Sequence, residues 1–366
     1  LGQAASTVGG MTVISRLLGF ARDLVIAMQF GATFAADAFF VAFRIPNIQR
    51  KVLSEGAISA AFIPVFTETR EKKGEKDAWL MTANLFNILL AVLITSSLAL
   101  AIFAPYLIII FAPGFIPVPE KFNLTVLLTQ WMAPYFLFIG LAVFCMGILN
   151  TYNIFALPAF TPAILNICMI IGTLFISPEL DQPILGLAIG VLFGGFLQFI
   201  VQIPSTLNCG FKFIPSIHWK NTEAIKVCKL MIPAIFVLAI YELNMLVDTL
   251  LASLLPEGSI SYLYYGNRLV QLPLGVFGVA LGIAILPILS QQVASKNFSE
   301  MIKTIAFGIR LILFVTIPAS IGLIILRFPI VNTLWERGEF NRLTTEGTTI
   351  ALLYYSPLRR YQTNPF

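Results

Sequence analysis

Eight charged side chains crowd into forty positions of an otherwise apolar stretch: Arg16, Arg22, Asp23, Asp37, Arg44, Arg50, Lys51 and Glu55. Arg and Lys hold anions. The Arg fork matches phosphate or carboxylate with two parallel hydrogen bonds, and Lys supplies a compact point charge. The acids can orient these cations or form pairs that open and close. Asp37, Arg44, Lys51 and Glu55 stand seven, seven and four residues apart. On a helix at about 100° per residue they fall within roughly 40° of one another. Pro46 disturbs that register, and Arg50 points elsewhere on an ideal helix. Arg16 and Asp23, also seven apart, share a face of the preceding segment. Five cations against three anions leave a positive surplus that water or an anionic ligand must satisfy. Structural ion pairs inside a bundle are the plainer reading, and they suit any single residue better than the set.

A second polar group lies further on, with Tyr262, Tyr264, Tyr265, Asn267, Arg268 and Gln271. Arg268 sits well inside an apolar run, where snorkelling to the surface is the alternative to a functional role. Glu242 and Asp248 precede it. Asp248 could pair with an Arg or hold a cation, and both readings stay open. Covalent chemistry finds no support. His218 is the sole histidine and lies in a polar loop, and no Gly-rich phosphate loop precedes a helix. Cys145, Cys168, Cys209 and Cys228 are scattered, without metal or redox spacing, and read as small apolar residues.

The elements that must position these groups are membrane helices. Of 366 residues, 58% are hydrophobic and 11% charged, against about 25% charged in ordinary soluble domains. Mean hydropathy is +0.89. A charge near the centre of a lipid-facing helix costs about 2.5–3.5 kcal/mol, so the charged set must face a watery interior. Hydrophobic runs give nine complete spans, at 6–30, 35–66, 79–111, 123–150, 160–177, 184–207, 227–255, 260–290 and 304–326, with a tenth starting near Leu343. Gly and Pro within spans suit kinked, moving helices.

Nine Lys and Arg residues in the loops 67–78, 208–226 and 291–303 face four on the other side, Lys121, Arg327, Arg337 and Arg342. That asymmetry places the N-terminus in the cytoplasm. The basic 327–342 connection departs from it. There Trp335 reads as interfacial, with the charges pairing to Glu336 and Glu339. Net charge of +5 then reflects loop orientation, not nucleic-acid binding. Residues 1–30 do not read as a signal peptide, because Arg16 and Arg22 interrupt the apolar core. A faint repeat sets Asp23 and Pro64 against Asp248 and Pro287, as expected of duplicated transporter bundles.

The segments SRLLGFARD, FGATFAADAFFVAFRIPN, LSEGAISAAFIPVF and SISYLYYGNRLVQLPLGVFGVALGIAILPILS resemble the MurJ (MviN) family of bacterial lipid II flippases. The resemblance covers residues 6–356. It implies an all-α polytopic membrane protein with a two-lobed transporter fold. It also implies membership of the multidrug/oligosaccharidyl-lipid/polysaccharide exporter superfamily, and a cationic central cavity that alternates between membrane faces. The family has fourteen spans. Here the expectation is an N-terminal lobe at 1–226 with helices 1–6, and a partial C-terminal lobe at 227–356 with helices 7–9 and the start of a tenth. Residues 357–366 read as an aberrant polar tail, from truncation or a shifted frame, with a genuine short variant as the alternative.

The activity implied is movement of the undecaprenyl-pyrophosphate-linked peptidoglycan precursor from the inner to the outer leaflet of the bacterial cytoplasmic membrane, without enzymatic chemistry. By motif, Arg16, Arg22, Arg44, Arg50, Lys51 and Arg268 would hold the pyrophosphate. Ser15, Asp23, Asp37, Asn47, Glu55, Ser261, Asn267 and Gln271 would position those cations or form gates. Some relatives carry acids where this chain has Asn267 and Gln271, so no acid-dependent role carries over there. No cofactor is implied, and coupling to membrane potential or a monovalent cation at Asp248 is the expected driving arrangement. Partners would be lipid II, membrane lipids and cell-wall synthesis or division proteins, with no nucleic acid. Two other readings stay open: a different polyprenyl-linked oligosaccharide as cargo, or an inactive truncated product.

Overall fold

Helix starts are written into the sequence. Asn221, Asn297 and Asn341 each accept a hydrogen bond from the backbone N–H three residues on, at 2.8, 3.2 and 3.1 Å. Pro lies in the opening turn of the helices at 104–111, 119–151 and 203–208, where no intrahelical donor is lost. The computed structural model describes residues 2–52, 58–215, 221–273 and 279–358, and among them it is all-helical. By Cα proximity the chain forms two compact units. The first is Leu1–Ile26 with Phe34–Pro256, and the second is Ala27–Thr33 with Glu257–Phe366.

The first unit holds α1 (Gly2–Phe30, to Ile26), α2 (Phe34–Val52), α3 (Ile58–Lys73), α4 (Glu75–Ile102), α5 (Ala104–Phe111), α6 (Pro119–Thr151), α7 (Ala156–Ile171), α8 (Ile184–Ile200), α9 (Ile203–Asn208) and α10 (Thr222–Ser253). Its core is aromatic. Phe62 of α3 lies 5.4 Å from Phe66 and 5.7 Å from Phe144 of α6, and Trp79 stacks on Tyr152 at 5.9 Å. α7 and α8 approach through glycine. A Cβ on Gly190 would stand 2.7 Å from the Cys168 carbonyl oxygen, and one on Gly186 2.5 Å from the Ser177 nitrogen. Gly186, Gly190 and Gly194 repeat every four residues along one helical face, the small-residue spacing that lets membrane helices touch backbone to backbone.

The second unit holds α11 (Ser259–Pro273), α12 (Val279–Ala294), α13 (Phe298–Ile325), α14 (Arg327–Trp335) and α15 (Arg342–Leu358). Tyr265 of α11 packs between Trp335 and Phe340, each ring 5.2 Å away, and its hydroxyl donates to the Gly31 carbonyl at 3.0 Å. Gly338 turns the chain at φ +57°, where a Cβ would meet the Met28 carbonyl oxygen at 2.3 Å. The next N–H, of Glu339, donates to that oxygen at 2.8 Å.

Two expected spans are resolved into two helices. The 79–111 run breaks at Phe103 because Pro105 has no N–H to continue the ladder. The 184–207 run appears as α8 with α9, and the described parts of the 35–66 and 260–290 runs are helical, as α2, α3, α11 and α12. Among the described residues, five helical segments are long and apolar enough to cross a membrane: Glu75–Ile102, Pro119–Thr151, Ala156–Glu179, Ile184–Asn208 and Phe298–Ile325. The basic 327–342 connection contains α14, and Trp335 is buried in the aromatic cluster instead of lying at an interface. Glu336 accepts from Thr345 at 2.6 Å, while Arg342 pairs with Glu346 at 3.5 Å and covers the Phe328 ring at 4.3 Å. α10, with which the expected C-terminal lobe begins, groups with the first unit, where it packs on α2, α3, α4 and α5. Packing in one conformation and membership of a moving lobe are different properties.

Candidate functional site: charged groups inside an apolar bundle

Three arrangements, two buried and one part-buried, occupy the first unit. The first joins α1 to α7. Arg22 folds back on its neighbour, donating from Nε and Nη2 to Asp23 Oδ1 at 2.9 and 2.5 Å. Its Nη1 donates to Asn166 Oδ1 at 2.9 Å and approaches the Met169 sulfur at 3.9 Å. Asn166 Nδ2 donates in turn to the Ser15 carbonyl at 3.1 Å. Arg22 is 7% exposed and Asp23 fully buried. Of the groups expected in this segment, Ser15, Arg22 and Asp23 thus come together, while Arg16 is exposed. Asn166 is the member that motif reading missed. Its signal was a lone amide in the apolar run of α7.

The second arrangement joins the first turns of α2 and α6. Lys121 Nζ lies 2.8 Å from Asp37 Oδ2, with side chains 8% and 1% exposed, and 4.2 Å from the centre of the Phe115 ring. The sequence placed Lys121 among loop charges. It is in fact the sole Lys or Arg between Asp77 and Phe211, and it is spent inside the bundle.

The third joins the middle of α2 to α10. Arg44 Nη1 donates to the Met245 carbonyl at 3.0 Å and to the Thr249 hydroxyl. That hydroxyl donates to the same Met245 carbonyl at 2.8 Å. The expected stripe of α2 therefore divides its loyalties: Asp37 goes to α6 and Arg44 to α10. Seven residues are about 10 Å of helix, which separates their levels. Arg50 donates to Asn47 one turn back at 2.8 Å. Lys51 and Glu55 lie outside the residues whose side chains are described.

On α10, Glu242 is 5% exposed and shares a face with Met245 and Thr249, whereas Asp248 is exposed. In the second unit Ser261 is fully buried, and Asn267, Arg268 and Gln271 of α11 are half-buried, with Gln271 Nε2 donating to Asn267 Oδ1 at 3.5 Å. Among the described residues no group of three His, Cys, Asp or Glu could hold a metal.

Outside the spans, lysines of the basic segments meet acids between α3 and α10. Glu68 accepts from Lys226 at 2.5 Å and Lys72 at 2.8 Å, which together hold its carboxyl down at about 2. Lys73 pairs with Glu223 at 2.5 Å and lowers that carboxyl too.

The geometry is that of a binding and conformational machine. Cations meet acids, amides, hydroxyls and carbonyls within apolar walls, and no metal cluster accompanies them among the described residues. Comparison with known proteins gives that class a name. The model of the family described as "Lipid II flippase MurJ" matches residues 26–357. The "Probable lipid II flippase MurJ" of Vibrio cholerae is 39% identical over 357 residues, covering 95% of this chain and 68% of that protein. A solved structure, "Lipid II flippase MurJ, inward closed conformation", superposes with a TM-score of 0.83 at 31% identity, covering 96% of this chain and 72% of that one. An inward-facing multidrug resistance MATE family transporter of the MOP superfamily superposes with a TM-score of 0.65 at 12% identity, a likeness of fold alone.

Proposed function

This chain belongs to the lipid II flippase MurJ family, and from that premise we propose how its charged groups serve the movement of lipid II across the membrane. The protein is a membrane transporter and not an enzyme. It carries the undecaprenyl-pyrophosphate-linked peptidoglycan precursor between leaflets by alternating access. The site is assigned as follows. Arg16, Arg22, Arg44, Arg50 and Lys51 supply positive charge for the pyrophosphate, and Arg268 does so in the second unit. Asp23 and Glu55, with Ser15 and Asn47, orient those cations, and Asp37 ties α2 to α6 through Lys121. Ser261, Asn267 and Gln271 line the same stretch as Arg268. Asp248 remains the candidate for cation coupling, alongside the membrane potential. The membrane is the bacterial cytoplasmic membrane, with the N-terminus and the basic segments 67–78, 208–226 and 291–303 on the cytoplasmic side.

The observation that carries this reading is the cation-rich charge set inside an apolar helical bundle of this family. Charged groups that cost several kcal/mol to embed persist where cargo or conformational change uses them. The test is complementation of a flippase-depleted strain. Arg22→Ala combined with Arg268→Ala is expected to abolish growth while the protein still accumulates in the membrane. Normal growth with both changes would sink the assignment.

A further inference from the structure

We propose that Thr249 is a positioning residue for transport, fixing the guanidinium of Arg44 for the anionic head of the cargo. The proposal rests on the reading above that Arg44 contacts the pyrophosphate. Thr249 is 2% exposed and sits on α10, and neither composition nor motif singled it out. Its hydroxyl has one proton and two lone pairs. The proton is committed to the Met245 carbonyl at 2.8 Å, a common arrangement for a helical Thr. With the proton so directed, a lone pair faces α2, and Arg44 Nη1 donates to it. The same Nη1 donates to the Met245 carbonyl at 3.0 Å. Two acceptors on one nitrogen, themselves joined by a hydrogen bond, define a small triangle.

The consequence follows from guanidinium geometry. The group is planar, so pinning one nitrogen from two directions fixes the plane of the whole fork. A long Arg side chain that is already ordered loses less freedom when an anion arrives, and preorganisation of this kind appears directly as affinity. The two acceptors are neutral dipoles. They orient the cation and carry no net charge themselves, which suits a group meant to meet phosphate. Val at 249 would keep the shape and branching of Thr and remove the hydroxyl, with it both the acceptor for Arg44 and the donor to the Met245 carbonyl. Ser would keep the acceptor.

The experiment measures binding of undecaprenyl pyrophosphate to the full chain in nanodiscs, with thermal melting recorded for every variant. Thr249→Val is expected to weaken binding about tenfold, the scale of one hydrogen bond to a charged group, and Thr249→Ser to restore it. Thr249→Ala serves if the Val variant does not fold. Arg44→Gln is expected to weaken binding, and adding Thr249→Val to it is expected to change nothing more. That non-additivity separates positioning from a merely structural role, in which the Thr249 change would weaken binding equally in both backgrounds. Unchanged or tighter binding by Thr249→Val, or a full further loss in the Arg44→Gln background, overturns the proposal. If Arg44→Gln alone leaves binding unchanged, the assignment of Arg44 to the cargo fails first, and the role of Thr249 fails with it.

Discussion

The two halves of α2 spend their charges differently. At its first turn Asp37 meets Lys121 of α6, both buried, 2.8 Å apart. Seven residues on, Arg44 reaches a carbonyl and a hydroxyl on α10. The Asp37–Lys121 pair sums to zero, so it fastens helix to helix and projects little field. Arg44 donates to a carbonyl and a hydroxyl, dipoles that hold a cation in place without themselves neutralising it. A bundle that must both stay folded and bind a pyrophosphate needs both devices, and α2 carries one of each within two turns. The third arrangement, around Arg22, mixes them. One edge of its guanidinium faces the Asp23 carboxylate and the other the Asn166 amide.

The largest effect that could break this comparison is at Lys121. Lys121→Met leaves the Asp37 carboxylate 1% exposed without its cation, at a cost of about 3–5 kcal/mol. Removing both charges in Asp37→Leu/Lys121→Met spares that cost, because two desolvated ions are replaced by apolar groups of similar volume. The double variant should melt within a few degrees of the parent, or above it, while the single variant melts far lower. Thermal unfolding in micelles reads both. A harmless single change, or a double change as damaging as the single, would mean that the pair is no fastener.

What the sequence disclosed and what it hid divide along the same line. The transporter fold was implied by the resemblance of whole motifs, and membrane helices and the embedded charge at Arg22, Asp23 and Asp37 were legible, because hydropathy and charge are local properties of the chain. The partners were not. Lys121 is 84 residues from Asp37, and Asn166 is 144 from Arg22, so no spacing rule joins them. Helical phase put Asp37 and Arg44 on one face, yet it could not say that they reach two different helices, α6 and α10. Trp335 misled for a related reason. Its flanking charges suggested an interface, but Tyr265, distant in sequence, packs on it together with nearby Phe340. Pro105, inside a run read as one span, explains its break by residue type, whereas the close contact of α7 with α8 became visible only when Gly186 and Gly190 were seen against backbone atoms.

A smaller effect is expected at Asn166. Asn166→Leu removes an acceptor from the buried Arg22 Nη1 and a donor from the Ser15 carbonyl, while the Asp23 contacts remain. The loss should be about 1.5–3 kcal/mol, the scale for a hydrogen bond to a charged group, and less than at Lys121. Denaturant unfolding of the purified protein measures it. A loss equal to that of Lys121→Met would place the amide on a par with a countercharge, and the distinction between pairs and dipoles would then carry no energetic weight.

The smallest effect belongs to the solvent-exposed pairs between α3 and α10, which test whether burial, rather than pairing itself, gives Asp37–Lys121 its weight. Glu68 lies between Lys226 and Lys72, and the side chains in these pairs are 40–71% exposed. Water and salt screen such contacts, so their contribution is slight. Its pH dependence is nevertheless fixed in sign. The lysines hold the Glu68 carboxyl at about 2, below its ordinary 4.5, so the folded protein binds this proton less readily than the unfolded chain. Stability from Glu68 is therefore present above about 4.5 and fades as the pH falls through about 2. The readout is the stability difference between the parent and Glu68→Gln. It should be small at pH 7, shrink in added salt, and vanish at the acid end of that window. A difference that resists salt would mean that the α3–α10 contact behaves like the buried pair at Asp37. Burial would then not be what separates a fastener from a surface contact in this bundle.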